Sequence, residues 1–478
     1  MSVELRPLVD LAMDQGATYA ELRYQSDIYE SNLLKNGLPE VSSHDIARGV
    51  AARVLVDGAL AFGATDRMGK GDHRDLVART VRSARAAARR RDRPITMSDA
   101  ELGTGEFEVK PRVPFSAVSL EGRLELLKEA DDAALDAAGR CRVGIPGRYL
   151  SLDTFVSERH VVTSDGADVR SIVPRVEVHV MLTASEPQKG SVQRMFSIGE
   201  SAGWEAAERW DLPRRLTEEV TSLGSIIHHA VRFSPETTDV VLGPEVTGIV
   251  AHESAGHPGE ADRMLGREAA QAGETYLSPL DIGKVVGSPQ VNVVDDPTLP
   301  RSFGFYHFDE EGVRARRRYL IREGRIDELL HNRETGSQFG VSSNGASRAV
   351  AYNREPIVRM ANTFVEPRDH SVEEMIEGVR HGVYLKNFME WNIDDRRYNQ
   401  RYVGLEAYRI EDGRIGQRLK NPVLEITTPA LWSAVDAVGK DLQFSSAHCG
   451  KGDPMQAIPV WTGGPHLRLR NVRVGGSA

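Results

Sequence analysis

The sequence predicts an α+β fold, because strand-like and helix-like segments come in separate groups. Strand patterns cluster at residues 19–62 and again at 149–183, whereas helical patterns cover 72–91 and about 115–138. A doubly wound α/β protein would instead alternate single strands with single helices. We therefore expect mixed and antiparallel sheets with helices packed beside them.

The N-terminal elements follow from local signals. Residues 5–15 predict an amphipathic helix that ends at Gly16, because their apolar side chains recur at helical spacing. Asp57-Gly58 lies between two alternating segments and predicts a hairpin turn. Gly166 is expected in a second turn, between two strands.

A domain boundary is expected within residues 222–237. The preceding stretch, 204–233, predicts helix interrupted near Pro213, and a strand pattern begins again at 240–242. The chain length favours more than one domain. We therefore predict an N-terminal α+β domain over residues 1–225 and a C-terminal catalytic domain over residues 226–478. Two further helices are expected in the latter, at 371–381 and about 429–439.

Composition and charge narrow the class of protein. The 478 residues are 40% hydrophobic and 27% charged, with a net charge of −9, which argues against a general nucleic-acid binder. No apolar run approaches the roughly 18–20 residues of a membrane span, and no secretory leader is recognisable. With two cysteines only, a disulfide framework is ruled out. We expect a cytoplasmic protein with neither a membrane nor a nucleic-acid partner.

The segment from His252 to His257 carries the strongest chemical signal. It reads His-Glu-Ser-Ala-Gly-His and follows an apolar run at 246–251, which places it at the end of a core helix. Two imidazoles can hold Zn²⁺, and the carboxylate of Glu253 can take a proton from a water that the metal polarises. The pattern therefore favours a zinc hydrolase, although two histidines at a helix end can also serve only as caps.

The spacing of these histidines predicts an irregular helix. Five residues correspond to about 140° around an α-helix, so His252 and His257 would point in different directions. A π-type turn with i→i+5 hydrogen bonding would bring them together. We expect the helix to depart from α geometry between them.

A catalytic zinc normally has three protein ligands, so a third must come from elsewhere. Cys449 lies in a stretch of small residues, 445–453, that is expected to form a loop, and Lys451 could favour its thiolate. His448 competes for the role, because neighbours in an extended segment point opposite ways. Cys449 could also be an ordinary buried side chain.

These features, in this order, resemble the TldD/PmbA family of metalloproteases, specifically its catalytic TldD branch. The histidine motif is followed by Glu260 and Asp262. The resemblance spans nearly the whole chain and includes further short segments at 49–54, 308–312, 343–345, 360–363, 406–408, 449–451 and 474–478.

The resemblance implies a two-domain TldD/PmbA-like fold whose metal-bearing helix lies in the C-terminal domain. It implies that His252, His257 and Cys449 bind Zn²⁺ and that Glu253 is the catalytic base of a peptidase acting on unfolded peptides or small proteins. It also implies a dimer, either a homodimer or a heterodimer with a TldE/PmbA-like subunit, with the N-terminal domain helping to enclose the substrate. Glu260 and Asp262 either orient ligands or are ordinary surface carboxylates.

Two segments depart from the family pattern. Residues 388–402 are bulky and charged where relatives are often glycine-rich, and 452–456 is also unusual. Neither includes a proposed ligand, so we expect them to change how a peptide is held. Asn344 and Arg348 could contact peptide or a second subunit, although a structural turn is the preferred interpretation for Asn344.

Two other functions compete with the peptidase. Residues 199–203 match the G-x-S-x-G pattern of serine hydrolases, for which His252 or His257 could act as base. That pattern requires a preceding strand, and 194–198 is a poor candidate for one. The chain could also be a non-catalytic binding or regulatory subunit, a role historically linked with this family.

Overall fold

The structure, a computed structural model, describes residues 3–90, 93–268 and 273–476. The α+β prediction is confirmed, since helices and strands are grouped separately and the sheets are antiparallel or mixed. The helices are α1 (Arg6–Asp14), α2 (Lys70–Ala88), α3 (Leu120–Cys141), α4 (Glu205–Arg209), α5 (Leu212–His229), α6 (Pro244–Ala251), α7 (Ala261–Met264), α8 (Arg333–Phe339), α9 (Val372–Glu377) and α10 (Thr428–Ala434).

Shorter helical turns of other types complete this set. One is a π-helical turn, His252–Gly256, and three are 3₁₀ turns, Phe115–Ala117, His257–Gly259 and Pro279–Asp281.

The strands fall into two groups along the chain. Those before α4 are β1 (Tyr19–Lys35), β2 (Leu38–Val56), β3 (Ala59–Thr65), β4 (Thr104–Glu108), β5 (Gly144–Thr163), β6 (Asp168–Glu186) and β7 (Gly190–Glu200). Those after α5 are β8 (Val231–Arg232), β9 (Glu236–Leu242), β10 (Val293–Asp295), β11 (Arg318–Arg322), β12 (Arg325–Ile326), β13 (Ser347–Arg348), β14 (Ile357–Val358), β15 (Asn362–Val365), β16 (His381–Leu385), β17 (Phe388–Ile393), β18 (Asn399–Gly404), β19 (Ala407–Glu411), β20 (Arg414–Lys420), β21 (Pro422–Thr427), β22 (Val435–Val438), β23 (Gln443–Lys451), β24 (Gln456–Gly464) and β25 (Leu467–Gly476).

The N-terminal strands form one seven-stranded sheet in the order β3-β2-β1-β5-β6-β4, with β7 also paired to β6. Side chains of a strand point alternately to the two faces of the sheet. On β6, every second residue therefore faces the core and is at most 1% exposed: Val176, Val178, Val180 and Leu182. These side chains pack against apolar residues of α3 and α5, while α1 and α2 cover the half of the sheet built from β1 and β2.

The C-terminal half contains a ten-stranded and a six-stranded sheet that together position one helix. In the ten-stranded sheet β9 lies between β25 and β16, and in the six-stranded sheet β24 lies between β15 and β23. Helix α6 leaves β9 and packs on β24, where a Cβ on Gly248 would come within 2.8 Å of the backbone nitrogen of Gly463. Only glycine allows the helix backbone this close to the strand.

Most predicted elements are found near their expected places. Helix α1 ends before Gly16, the hairpin turns at Asp57-Gly58 with positive φ at both residues, and the interruption before Pro213 separates α4 from α5. The helix expected over 72–91 is α2, and its final residue, Arg91, lies outside the described residues, as do positions 477–478 of the C-terminal motif. The helices expected at 371–381 and 429–439 are shorter: α9 ends at Glu377 and is followed by a turn, and α10 ends at Ala434, where β22 begins.

Two expectations are wrong. The loop expected at 445–453 is largely strand β23, whose backbone pairs with β24 through residues as small as Gly450, so tertiary pairing overrides weak strand propensity. The poor strand at 194–198 belongs to β7, where Arg194 is buried but forms ion pairs with Glu219 and Glu245. A buried arginine without a partner would be unfavourable in a strand, but these two carboxylates neutralise its charge.

Buried apolar residues form separate clusters, one built mainly around α3, α5, β5 and β6 and another around α6, β9 and β25. The division into residues 1–225 and 226–478 stays a prediction. Within the described part of the chain, no helix has the length and apolar character needed to cross a membrane.

Candidate metal centre

The helix that carries the histidine motif widens at the motif itself. Helix α6 ends at Ala251, and the next turn is π-helical, with the His257 backbone N–H donating to the His252 carbonyl in an i→i+5 bond. The two imidazole rings consequently lie with centroids 4.9 Å apart. The predicted departure from α geometry is confirmed, and it brings two side chains together that an α-helix would separate.

Close packing against the widened turn explains its glycine. A Cβ on Gly256 would lie 1.9 Å from the Met360 sulfur, so any larger residue would have to push the methionine away. Inside the turn, the Ser254 hydroxyl donates to the Val250 carbonyl at 2.5 Å, which satisfies a carbonyl that the altered ladder leaves available.

Strand β23 brings Cys449 to the two histidines. One potential ligand atom from each of His252, His257 and Cys449 lies within 4.8 Å of the others, and the sulfur is 3.4 Å from His257 Nε2. His448 points to the opposite face of the strand, where its Nε2 lies 2.7 Å from a Glu177 carboxylate oxygen. Of the two candidates left open by the sequence, the strand geometry therefore selects the cysteine.

A buried carboxylate determines the orientation of His257. Glu260 accepts from His257 Nδ1 at 2.9 Å and from Arg263 Nε at 2.7 Å, and it is completely buried. Burial alone would raise the pKa of the Glu260 carboxyl, but the charges of Lys451, Arg263 and His257 hold it well below its usual range. An ionised carboxylate only accepts, so Glu260 favours a proton on Nδ1 and a lone pair on Nε2 towards Cys449, whereas Arg263 Nη2, 3.1 Å from the same Nδ1, favours the opposite tautomer.

Lys451 extends this arrangement to a second carboxylate. Its ammonium group lies 2.7 and 2.8 Å from the two Asp262 oxygens and 3.4 Å from Glu260. Glu260 and Asp262 are therefore buried partners of the site rather than surface carboxylates.

The sequence suggested that Lys451 favours the Cys449 thiolate, but other groups lower the pKa of this thiol. Burial alone would raise the pKa of the thiol, but its neighbours His257, which also hydrogen-bonds to it, and Arg359 outweigh burial and lower the pKa to about 7. Arg359 also donates to the Cys449 carbonyl. A thiolate is thus accessible near neutral pH.

The three side chains fit a zinc ion by their chemistry. Burial lowers the pKa of both His252 and His257, which favours the neutral rings that metals require. Among the described residues His252 Nδ1 is buried without a hydrogen-bond partner, as expected of a ring that can turn a nitrogen to a metal. Two neutral nitrogens and one thiolate match the donors that Zn²⁺ prefers, and a three-residue set leaves one position open.

Glu253 contacts a residue that the sequence did not single out. Arg397 Nη1 donates to Glu253 Oε2, from the turn that joins β17 and β18. On the adjoining strand β18, burial and then the charge of Glu253 raise the pKa of the Tyr402 hydroxyl. The unusual charge of 388–402 was the available signal, but we expected that segment to affect only how a peptide is held.

The remaining candidates lie in structural roles or apart from the cluster. Asn344 accepts from the His331 backbone N–H and donates to the Leu329 carbonyl, and both terminal nitrogens of Arg348 donate to backbone carbonyls. Ser201 does follow a strand, but within the described chain its hydroxyl is buried and has no hydrogen-bond partner, histidine included. The serine-hydrolase arrangement is thus not assembled in this conformation.

A buried His-His-Cys cluster beside a carboxylate, on an α+β framework, has the donor set of a metallohydrolase. The chain belongs to the PmbA/TldD metallopeptidase family. Residues 235–476 match the family description PmbA/TldA metallopeptidase C-terminal domain, residues 113–224 its central domain and residues 20–88 its domain 1.

Two relatives with full-length similarity carry protease names. A zinc metalloprotease TldD homolog from Saccharolobus solfataricus is 32% identical over 476 residues, covering 97% of this chain and 98% of its own. A metalloprotease from Methanothermobacter thermautotrophicus is 31% identical and covers 100% of both chains. The names of these relatives support a metallopeptidase.

Solved structures share the fold at lower identity. A putative modulator of a DNA gyrase from Thermotoga maritima superposes with a TM-score of 0.78 at 17% identity, covering 98% of both chains. TldE from Thermococcus kodakarensis gives 0.73 at 16% identity, covering 99% of this chain and 100% of its own. At this identity the likeness establishes the fold alone.

Proposed function

We propose that this protein is a zinc-dependent peptidase that cleaves unfolded peptides or small proteins, with Glu253 as general base. The observation that carries the proposal is the convergence of His252, His257 and Cys449 to within 4.8 Å, with Glu253 next to the first ligand in the chain. Binding sites for small ligands or structural metals would not require a carboxylate at that position, whereas hydrolysis requires a group that accepts a proton.

The residues divide the chemistry between them. Zn²⁺ held by His252, His257 and Cys449 would polarise the scissile carbonyl and increase the acidity of a water molecule. Glu253 takes the proton of the attacking water and passes it to the leaving amine. Glu260 keeps the His257 ring in its ligating tautomer, as an outer partner commonly does in zinc sites.

Limited access to the site favours flexible substrates. His252, Glu253, His257 and Cys449 are each at most 5% exposed, so a folded protein surface could not reach them. Strand β17 is at the end of the ten-stranded sheet, and its hairpin reaches Glu253 through Arg397. An extended peptide that adds to this edge would bind through its backbone with little dependence on sequence.

A second subunit and a cytoplasmic location belong to the same proposal. The fold shared with TldE supports either a homodimer or a heterodimer with a TldE/PmbA-like chain. Cys141 and Cys449 are both free thiols, which suits a reducing compartment. Light scattering of the purified chain, alone and with a TldE-like subunit from the same source, would decide between the two assemblies.

The substitution Glu253→Gln tests the assignment of the base. We expect the variant to retain about one zinc per chain by elemental analysis, because no ligand is changed, and to lose peptide hydrolysis. Glu425→Gln, an exposed carboxylate on β21, is the matched control and should retain full activity. Undiminished turnover by Glu253→Gln would exclude Glu253 as the base.

Inhibitors separate the peptidase from the two competing functions. Prolonged incubation with phenanthroline should abolish peptide cleavage, and added Zn²⁺ should restore it, whereas a serine-directed phosphonate should have no effect. Inhibition by the phosphonate alone would favour Ser201. A metal-free protein that cleaves nothing but binds a partner chain would favour a regulatory subunit.

A further inference from the structure

We infer that Arg397 is a positioning residue for Glu253, so that the hairpin of β17 and β18 completes the catalytic base. This inference rests on the proposed function, since it assigns a role within that reaction. Its starting point is the direct hydrogen bond and ion pair between Arg397 Nη1 and Glu253 Oε2. Both side chains are buried, with exposures of 9% and 5%, so little solvent weakens the contact.

The turn that carries Arg397 is built to hold this side chain in place. Its backbone has a φ of 62°, a left-handed conformation that is unfavourable for a residue with a side chain and that persists only where the surroundings impose it. The Arg397 backbone N–H donates to the Asp394 carbonyl at 3.0 Å, and its carbonyl accepts from the Thr428 hydroxyl at 2.8 Å. The guanidinium therefore starts from an anchored backbone.

A network of hydrogen bonds extends this anchoring to the next residues of the hairpin. The Asp394 carboxylate accepts from the backbone N–H groups of Tyr398 and Asn399 at 2.8 and 3.1 Å. Gln400 donates to the Thr428 hydroxyl and accepts from the Tyr402 hydroxyl, which places a second hairpin side chain near Glu253. A rigid support of this kind suits a role in orientation rather than a contact that must open.

The expected consequence for Glu253 is a single orientation of its carboxylate. Side-chain rotation of a glutamate otherwise spreads its oxygens over several positions, and a misplacement of about 1 Å can cost about 100-fold in rate. By donating to Oε2, Arg397 selects one of these orientations, and its replacement changes none of the three proposed ligands. Its loss should therefore reduce the rate of the chemical step without releasing the metal.

The test compares Arg397→Ala, Arg397→Lys and Arg401→Ala in the zinc-loaded full-length protein. Arg401 is on the same hairpin but half exposed, where it pairs with Glu390 and Glu425, so it controls for the loss of a nearby arginine. Arg397→Ala leaves the unfavourable φ in place, since alanine also carries a Cβ, and removes the side chain that reaches Glu253. We expect its kcat for a peptide to fall about 10- to 100-fold with KM unchanged.

Three further readouts are expected. Arg397→Lys should recover part of kcat, Arg401→Ala should behave like the wild type, and zinc content should remain about one per chain in all three variants. A higher kcat for Arg397→Ala would overturn the inference in favour of an inhibitory contact. A raised KM with normal kcat would overturn it in favour of substrate binding, and loss of zinc would overturn it in favour of a structural role.

A crystal structure of zinc-loaded Arg397→Ala provides a readout that does not depend on activity. We expect the Glu253 carboxylate to change rotamer or lose defined density while His252, His257 and Cys449 stay in place. An unmoved carboxylate would overturn the inference. If the wild-type protein cleaves no peptide, the proposed function fails, whereas the position of Glu253 in this variant still decides whether Arg397 orients it.

Discussion

Two neighbouring side chains of the same turn, His257 and Glu253, are held in different ways. His257 is oriented by Glu260, three residues further along, whereas Glu253 pairs with Arg397, 144 positions away. The metal side of the site thus combines the motif and the residues just after it with one distant strand, β23, while the base side depends on a separate hairpin. Changes to one side should therefore leave the other intact.

The largest expected effect comes from removing the cation on the metal side. Lys451→Met would leave the buried carboxylates of Glu260 and Asp262 without their shared ammonium group. Breaking a buried ion pair from one side typically costs about 3–5 kcal/mol, so urea denaturation should show a loss of that order in the free energy of unfolding. Lys440→Met, at an exposed lysine, should leave stability unchanged. If Lys451→Met lost no more free energy of unfolding than this control, the ion pairs of Lys451 with Glu260 and Asp262 would not stabilise the fold.

A smaller effect is expected at the carboxylate that orients His257. Glu260→Gln removes the negative charge opposite His257 Nδ1 and should weaken zinc binding by about 10- to 100-fold, as changes of outer partners usually do. Competition with a chromophoric chelator measures this affinity, with the exposed Glu411→Gln as control. Unaltered affinity would show that the tautomer of His257 is determined by something else.

The shape of the widened turn can be tested through its glycine. Gly256→Ala would place a methyl group against the Met360 sulfur and should destabilise the fold by about 1–3 kcal/mol through overpacking. Met360→Ala alone would leave a cavity, so the double variant should lose less stability than the sum of the two single losses, since the two residues are in contact. Gly139→Ala on α3, where a Cβ meets no other atom within 4 Å, should not destabilise. If Gly256→Ala and Gly139→Ala had the same thermal stability, the close packing of Gly256 against Met360 would be refuted.

The smallest effect is expected on the base side. Thr428→Val removes the hydroxyl that donates to the Arg397 carbonyl and accepts from Gln400, and each such hydrogen bond contributes about 1 kcal/mol. Denaturation should show that modest loss, and kcat should fall while zinc affinity stays at the wild-type value. Loss of zinc in this variant would mean that the two sides of the site are not independent.

The sequence could predict that the two histidines approach each other, because the signal for this is local. The five-residue spacing of His252 and His257 required a π turn, and alternation along a strand allowed only one of His448 and Cys449 to face the metal. The α+β class followed equally from grouped patterns. Small residues misled us about β23, because pairing with β24 decides its conformation and no local pattern reveals that partner.

The base side could not be predicted in the same way. The contact between Arg397 and Glu253 depends on a hairpin turn whose position relative to α6 is determined by the order of strands in the ten-stranded sheet. Only the unusual charge of 388–402 indicated that this segment has a distinct role. Similarly, Arg194 looked unsuitable for a strand until Glu219 and Glu245, distant in sequence, were seen to neutralise it.

The π turn is equivalent to a helix that has gained one residue. Deleting Ala255 would restore the four-residue histidine spacing of H-E-x-x-H zinc proteins and permit an ordinary α turn. The same deletion would also shift His257 and Glu260 together relative to β23, so that Cys449 and Lys451 would lose their places opposite these two residues. The extra residue and the distant thiolate therefore belong together, and a chain with the four-residue spacing would need a third ligand from another place.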